Sequence, residues 1–136
     1  MRKLLPLLVL LLLAISCNKQ KAVQQDLTGV WQVYKYNLHG FDATALFDSL
    51  NPGYTLTFAN GKFIEADTSR SLFLANSGTY FLKDNNQMLA LIDSVSVQID
   101  TLTISGLRER DYTIFGLSKT TLQLVTDSSD TYMSKK

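Results

Sequence analysis

The chain has 136 residues, with 13 Lys and Arg against 12 Asp and Glu, one His and one Cys. That length holds one domain and not two. The near-balance of charge, without a long run of either sign, excludes the basic patch of a nucleic-acid binder, the lone cysteine excludes an internal disulfide, and the lone histidine excludes a multi-His zinc site.

Met1-Arg2-Lys3 is a short positive segment, and Leu4 to Ile15 then runs apolar apart from Pro6. A membrane-crossing helix needs about 20 apolar residues. This run is shorter and has the form of a secretory signal, with the small residues Ala14 and Ser16 ahead of Cys17. Ala14-Ile15-Ser16-Cys17 resembles the lipobox of bacterial lipoproteins, although Ala14 stands where leucine is usual and Leu13 lies one place further off. The resemblance implies that residues 1–16 are removed and that Cys17 is acylated on its thiol and on the new amino terminus. Two or more acyl chains anchor a protein stably, where one does so reversibly. Asn18, rather than aspartate, after the cysteine implies transfer to the outer membrane of the cell envelope. Lys19-Gln20-Lys21 lacks the acidic cluster of surface export, which implies the periplasmic face. Loss of Arg2 and Lys3 leaves 11 basic residues against 12 acidic.

Residues 17–25 are polar and unpatterned beyond the cysteine, and are expected to form a flexible tether. The domain is expected over residues 26–136, beginning with a β-branched and aromatic strand from Asp26 to Tyr36. Leu38 to Gly53 is the non-β interlude. Asp42 is placed to cap a helix over 43–50, Phe41 and Leu46 to staple it, and Asn51-Pro52-Gly53 to stop it. So short a helix is unstable alone, so Phe41, Leu46, Phe47 and Leu50 are expected to lean on the end of a barrel.

Tyr54–Phe58 and Lys62–Glu65 flank Asn60-Gly61, a strong hairpin signal. With a two-residue turn Leu56 faces Glu65, which then lies at or inside a cavity mouth. A three-residue turn reverses that face. Further strands are expected at Leu72–Leu74 after a polar turn, at Gly78–Leu82, and at Met88–Ile92 after the turn at Asp84–Asn86. Val95, Val97 and Ile99 alternate with polar residues before the parity shifts at Leu102 and Ile104, predicting a bulge or bend near Asp100. Gly106–Asp111 reads as a charged loop. Strands at Tyr112–Phe115, Leu122–Val125 and Thr131–Met133 follow. The pattern predicts an all-β protein, a small antiparallel up-and-down barrel of eight to ten strands with one short helix after the first. Closure would remove both sheet edges.

Thr28-Gly29-Val30-Trp31 resembles the Gly-x-Trp opening of lipocalins, and Tyr54 to Phe63 resembles the second and third strands of lipocalin-like lipoproteins of bacteria. The resemblance extends loosely over the whole mature domain. It implies that Gly29 lets the first strand bend and that Trp31 caps the closed end beneath a basic residue, with Arg108, Arg110 and Lys135 as candidates. A Thr-Asp-Tyr motif is absent; Arg110-Asp111-Tyr112 is the nearest string.

His39 beside Gly40 reads as a solvated turn residue, and no nucleophile-elbow glycines support a Ser-His-Asp site. Glu65, Asp67, Asp93 and Asp100 are scattered, with nothing to select an acid/base pair. Asp127–Asp130 lacks the glycine and distal glutamate of a calcium loop. No catalytic residue, metal site or cofactor is therefore expected. The reading is of a binding module that holds a small lipophilic ligand in the barrel. Tyr34, Tyr36, Tyr54 and Tyr80 are candidate polar anchors, alongside Phe47 in the lid helix and Glu65 at the mouth. The alternative is a barrel filled by its own side chains that acts as an accessory or inhibitory subunit on an envelope protein, marked by an exposed apolar patch. An enzyme ranks third.

Overall fold

The computed structural model describes residues 19–67 and 76–136. Cys17 and the leader expected ahead of it, and the strand expected at Leu72–Leu74, lie outside the described residues. The elements are helix α1 over residues 19–27, β1 (Gly29–Leu38), β2 (Phe41–Asp42), α2 (Thr44–Leu50), β3 (Thr55–Ala59) and β4 (Lys62–Ala66). There follow β5 (Asn76–Lys83), β6 (Met88–Ile99), β7 (Leu102–Leu117), β8 (Thr121–Val125) and β9 (Ser129–Lys135). Sequential strands pair antiparallel, and β1 pairs with both β3 and β9, so all strands but the two-residue β2 close into an eight-stranded up-and-down barrel.

Alternation sets the core. Trp31 and Val33 of β1, Leu56 and Phe58 of β3, Phe63, Tyr80, Leu89, Leu91, Leu122, Leu124 and Met133 all point inward and are buried. Each fully buried Leu or Phe contributes about 1.5–3 kcal/mol. Two bulges adjust this parity. On β1 the register slips between Val33 and Lys35, so Tyr34 and Lys35 both face outward and Tyr36 turns inward. On β7 a slip between Ile114 and Gly116 expels Phe115 and returns Leu117 to the inside.

The closed end is built around Trp31. Its indole Nε1 donates to the Leu27 carbonyl at 2.7 Å, and Leu27 is itself fully buried. The Lys135 ammonium lies 4.8 Å from the Trp31 ring and donates to the carbonyls of Asp26 (2.7 Å) and Thr28 (2.8 Å). Lys135 is thus the cation over the tryptophan; Arg108 and Arg110 serve elsewhere. Gly29, at φ +137, lets the chain turn from α1 into β1, and a Cβ there would sit 3.2 Å from the Lys135 stem.

Several expectations are corrected. Residues 19–25, read as part of the tether, and Asp26 and Leu27, read as the start of the first strand, are helical, because Val23 and Leu27, four apart, give the segment one apolar face against the core. The bend at Asp100 is a two-residue turn, with Ile99 paired to Leu102 and Asp100 at φ 52. The loop over Gly106–Asp111 is mid-strand in β7. The staple is not formed: Phe41 is 77% exposed and Leu46 55%, and within α2 only Phe47 packs on the core. The Asp42 carboxylate does accept from the first turn, from the Thr44 amide at 3.0 Å and its hydroxyl at 2.7 Å, with the helix beginning one residue later than expected.

Candidate functional site

The turn at Asn60-Gly61 fixes the site. Both residues have positive φ, 51° and 73°, and Ala59 pairs with Lys62, so the turn has two residues. Leu56 therefore faces Glu65, and the Glu65 carboxylate enters the barrel. Opposite it, β7 carries the string Arg108-Glu109-Arg110-Asp111-Tyr112, whose charges alternate in sign. In a strand, alternation sorts them by face. Arg108, Arg110 and Tyr112 turn inward, while Glu109 and Asp111 meet Lys83 on the outer surface.

Arg110 grips Glu65 in a bidentate pair, Nη1 to Oε1 at 2.9 Å and Nη2 to Oε2 at 2.8 Å. The Tyr54 hydroxyl donates to the same Oε1 at 2.8 Å, and the Tyr112 hydroxyl lies 3.5 Å from Arg110 Nη1. Arg108 holds Asp93 through Nε at 3.1 Å and through Nη2, and Arg110 Nη2 adds a looser contact to Asp93 at 3.8 Å. Two guanidiniums and two carboxylates thus cancel within one network. The Arg110 Nε is buried without a hydrogen-bond partner.

The environment keeps Tyr54, Tyr112, Arg110 and Asp93 in their ordinary charge states near neutral pH. Burial first, and then the Glu65 charge, push the Tyr54 hydroxyl well above the usual tyrosine range; burial does the same to Tyr112 more mildly. Burial disfavours the Arg110 charge, but hydrogen bonds and attraction to Glu65 outweigh it and hold the proton more firmly than in free arginine. The Arg108 hydrogen bonds keep Asp93 below the usual aspartate range.

This network forms one wall of a cavity of about 250 Å³ inside the open end. Apolar lining comes from Phe47, Leu56, Leu91, Leu124 and Met133. Phe47 is the lid contact: its ring lies 4.9 Å from Tyr36 and 5.5 Å, edge to face, from Tyr54. Thr44 ties α2 to β1 by accepting from the Tyr36 amide at 3.0 Å. A second cavity of about 210 Å³ shares Tyr54, Glu65 and Arg110 and adds Asn51, Asn76 and Arg108. The Tyr54–Glu65–Arg110 trio therefore stands between an apolar chamber and a polar vestibule.

Of the residues singled out in the sequence, Tyr36, Phe47, Tyr54 and Glu65 line the inner cavity together. Tyr34 does not: the bulge turns it outward, where it is 55% exposed and 6.3 Å from Tyr132. Tyr80 is buried against Phe58 at 5.1 Å, away from the cavity. Asp93, Arg108, Arg110 and Tyr112 are not picked out as members of this network by the sequence: Asp93 is one of several scattered carboxylates, Arg108 and Arg110 are candidates only for the cation over Trp31, and the charges from Arg108 to Asp111 read as a loop. The signal was the strict sign alternation from Arg108 to Asp111. Among the described residues no group of His, Cys, Asp and Glu is arranged to hold a metal ion.

Two solved structures have the same architecture. One is a lipocalin-like protein from Bacteroides uniformis, with 15% identity and a TM-score of 0.53, matched over 82% of this chain and 99% of that one. The other is an uncharacterised protein from Bacteroides eggerthii, with 16% identity, a TM-score of 0.54, and 81% and 99% of the respective chains covered. The fold is lipocalin-like. No family model matches the sequence, and no curated protein is similar to it.

Proposed function

We propose that this lipocalin-like barrel binds a small lipophilic ligand, and that acylation of Cys17 tethers it to the bacterial outer membrane facing the periplasm. The observation that carries the ligand reading is the chamber of about 250 Å³ inside the open end, lined by aromatic and aliphatic side chains with a few convergent polar groups. Such a lining is what small-molecule sites use, apolar contact for affinity and placed hydrogen bonds for orientation. The anchor reading rests on the Ala14–Cys17 string. Native mass spectrometry of gently purified protein, followed by organic extraction, tests the ligand: a discrete adduct that extracts as a lipophile is expected, and a clean apo mass after incubation with a total organic extract of the envelope, small molecules included, counts against it. Loss of membrane fractionation in Cys17→Ser tests the anchor.

A second reading is that of an accessory subunit on an envelope protein. It is favoured by the distal part of the β6–β7 hairpin, where Leu102 and Ile104 are more than half exposed and Leu107 is 82% exposed. Crosslinking from intact cells that yields one defined partner through this hairpin would favour it over the carrier.

A further inference from the structure

We infer that the inner cavity selects a compact, uncharged aromatic ligand bearing an oxygen acceptor, and rejects carboxylates, because Glu65 already occupies the guanidinium that would receive them. The inference rests on the ligand-binding reading above and goes beyond it by naming the chemical class. Three observations carry it.

The first is charge. Among the described residues of the network, Arg108 and Arg110 are matched by Asp93 and Glu65, and Arg110 gives both terminal nitrogens to Glu65. An entering carboxylate would shed its water and find no free cation in the wall, and an uncompensated buried charge is strongly unfavourable. An ammonium would meet the same obstacle with the sign reversed.

The second is hydrogen bonding. The Tyr112 hydroxyl accepts only the long 3.5 Å contact from Arg110 Nη1, which leaves its own proton without an acceptor. Tyr112 lines the cavity wall. A neutral hydroxyl or carbonyl oxygen can accept from it at no charge cost, and a pure hydrocarbon cannot.

The third is size and shape. About 250 Å³ lies below the range of roughly 300–1,000 Å³ typical of drug-sized ligands, too little for a long acyl chain. Tyr36, Phe47, Tyr54 and Tyr112 surround it with rings, and the Phe47–Tyr54 pair already packs edge to face. A single aromatic ring satisfies this geometry.

The test uses the full chain in lipid nanodiscs, with protein-free nanodiscs as the partition control. 4-Ethylphenol, acetophenone, octanoate and phenethylamine are titrated while the amide shifts of Tyr54, Arg110 and Tyr112 are followed. Both neutral probes are expected to bind at least about tenfold more tightly than either ion. Glu65→Gln leaves Arg110 unmatched and is expected to bring octanoate level with the phenol or ahead of it. Arg110→Gln, a second variant should the first not fold, leaves Glu65 unmatched and is expected to admit phenethylamine while still excluding octanoate. Octanoate binding to the wild-type cavity as tightly as the neutral probes overturns the charge argument and leaves the carrier reading intact. If no probe shifts these amides, and filling the cavity with Met133→Trp changes nothing, the carrier reading itself fails and takes this inference with it.

Discussion

Asp93 shows how a single side chain ties the barrel wall to the pH of its surroundings. It is almost fully buried, and Arg108 holds it below the usual aspartate range. A carboxyl whose folded pKa is depressed contributes stability above its ordinary pKa, here 3.8, and that contribution is lost as pH falls through the lowered folded value. Urea midpoints measured from about pH 6 down to about pH 2 should therefore fall more steeply for the wild type than for Asp93→Asn, with the two converging at the acid end. Arg108→Ala should cost about 3 kcal/mol at neutral pH, the low end for stranding a buried ion, since Arg110 remains 3.8 Å away. Gly78 makes a different point. A Cβ there would lie 1.9 Å from the Ile92 carbonyl oxygen, a backbone atom that cannot step aside. Gly78→Ala should lower stability by about 2–3 kcal/mol in chemical denaturation, as overpacking does.

At the level of elements, the sequence was legible where a local rule decides and obscure where tertiary structure does. The hairpin at Asn60-Gly61 followed from turn chemistry, because positive φ at both positions is a demand that Asn-Gly meets, and with it came the inward face of Glu65. The short helix after β1 was likewise found, and its Phe47 with it. The exposure of Phe41 and Leu46 was not, since a staple pattern is satisfied equally by a helix that rests on one residue alone. Tyr34 was misplaced because a bulge leaves little trace in composition, and α1 was missed because nine residues with only Val23 and Leu27 apolar on one face carry a faint period. Since Phe47 is the main attachment of α2 to the interior, Phe47→Ala should loosen the lid. The expected cost is about 1–2 kcal/mol, below that of truncating a fully buried ring, together with faster release of bound ligand in stopped-flow exchange.

For the whole molecule, closure between β1 and β9 removes the edges that an open sheet would present. The β6–β7 hairpin is the exception. β5 pairs with β6 only as far as Asp93, and β8 pairs with β7 only from Thr113, so residues 94–107 run on as a two-stranded arm whose outer edges have no ladder partner among the described residues. Asp100 is its only charge. Because Leu102 and Ile104 are exposed, the pair Leu102→Lys and Ile104→Lys should leave the free energy of urea unfolding within about 0.5 kcal/mol of wild type while raising the concentration at which the protein remains monomeric in sedimentation.

The Lys135 latch gives the barrel a foot. By binding the carbonyls of Asp26 and Thr28, it gathers the end of β9, the end of α1 and the start of β1 onto the same pole, opposite Phe47 and the chamber. α1 itself lies against this pole, where Gln24 and Gln25 face the Asn60-Gly61 turn. A cup held by its foot keeps its rim clear. A load applied to the chain ahead of α1 would reach the Lys135 contacts and the Trp31 hydrogen bond before any residue that lines the chamber, so the foot and the rim are mechanically separate.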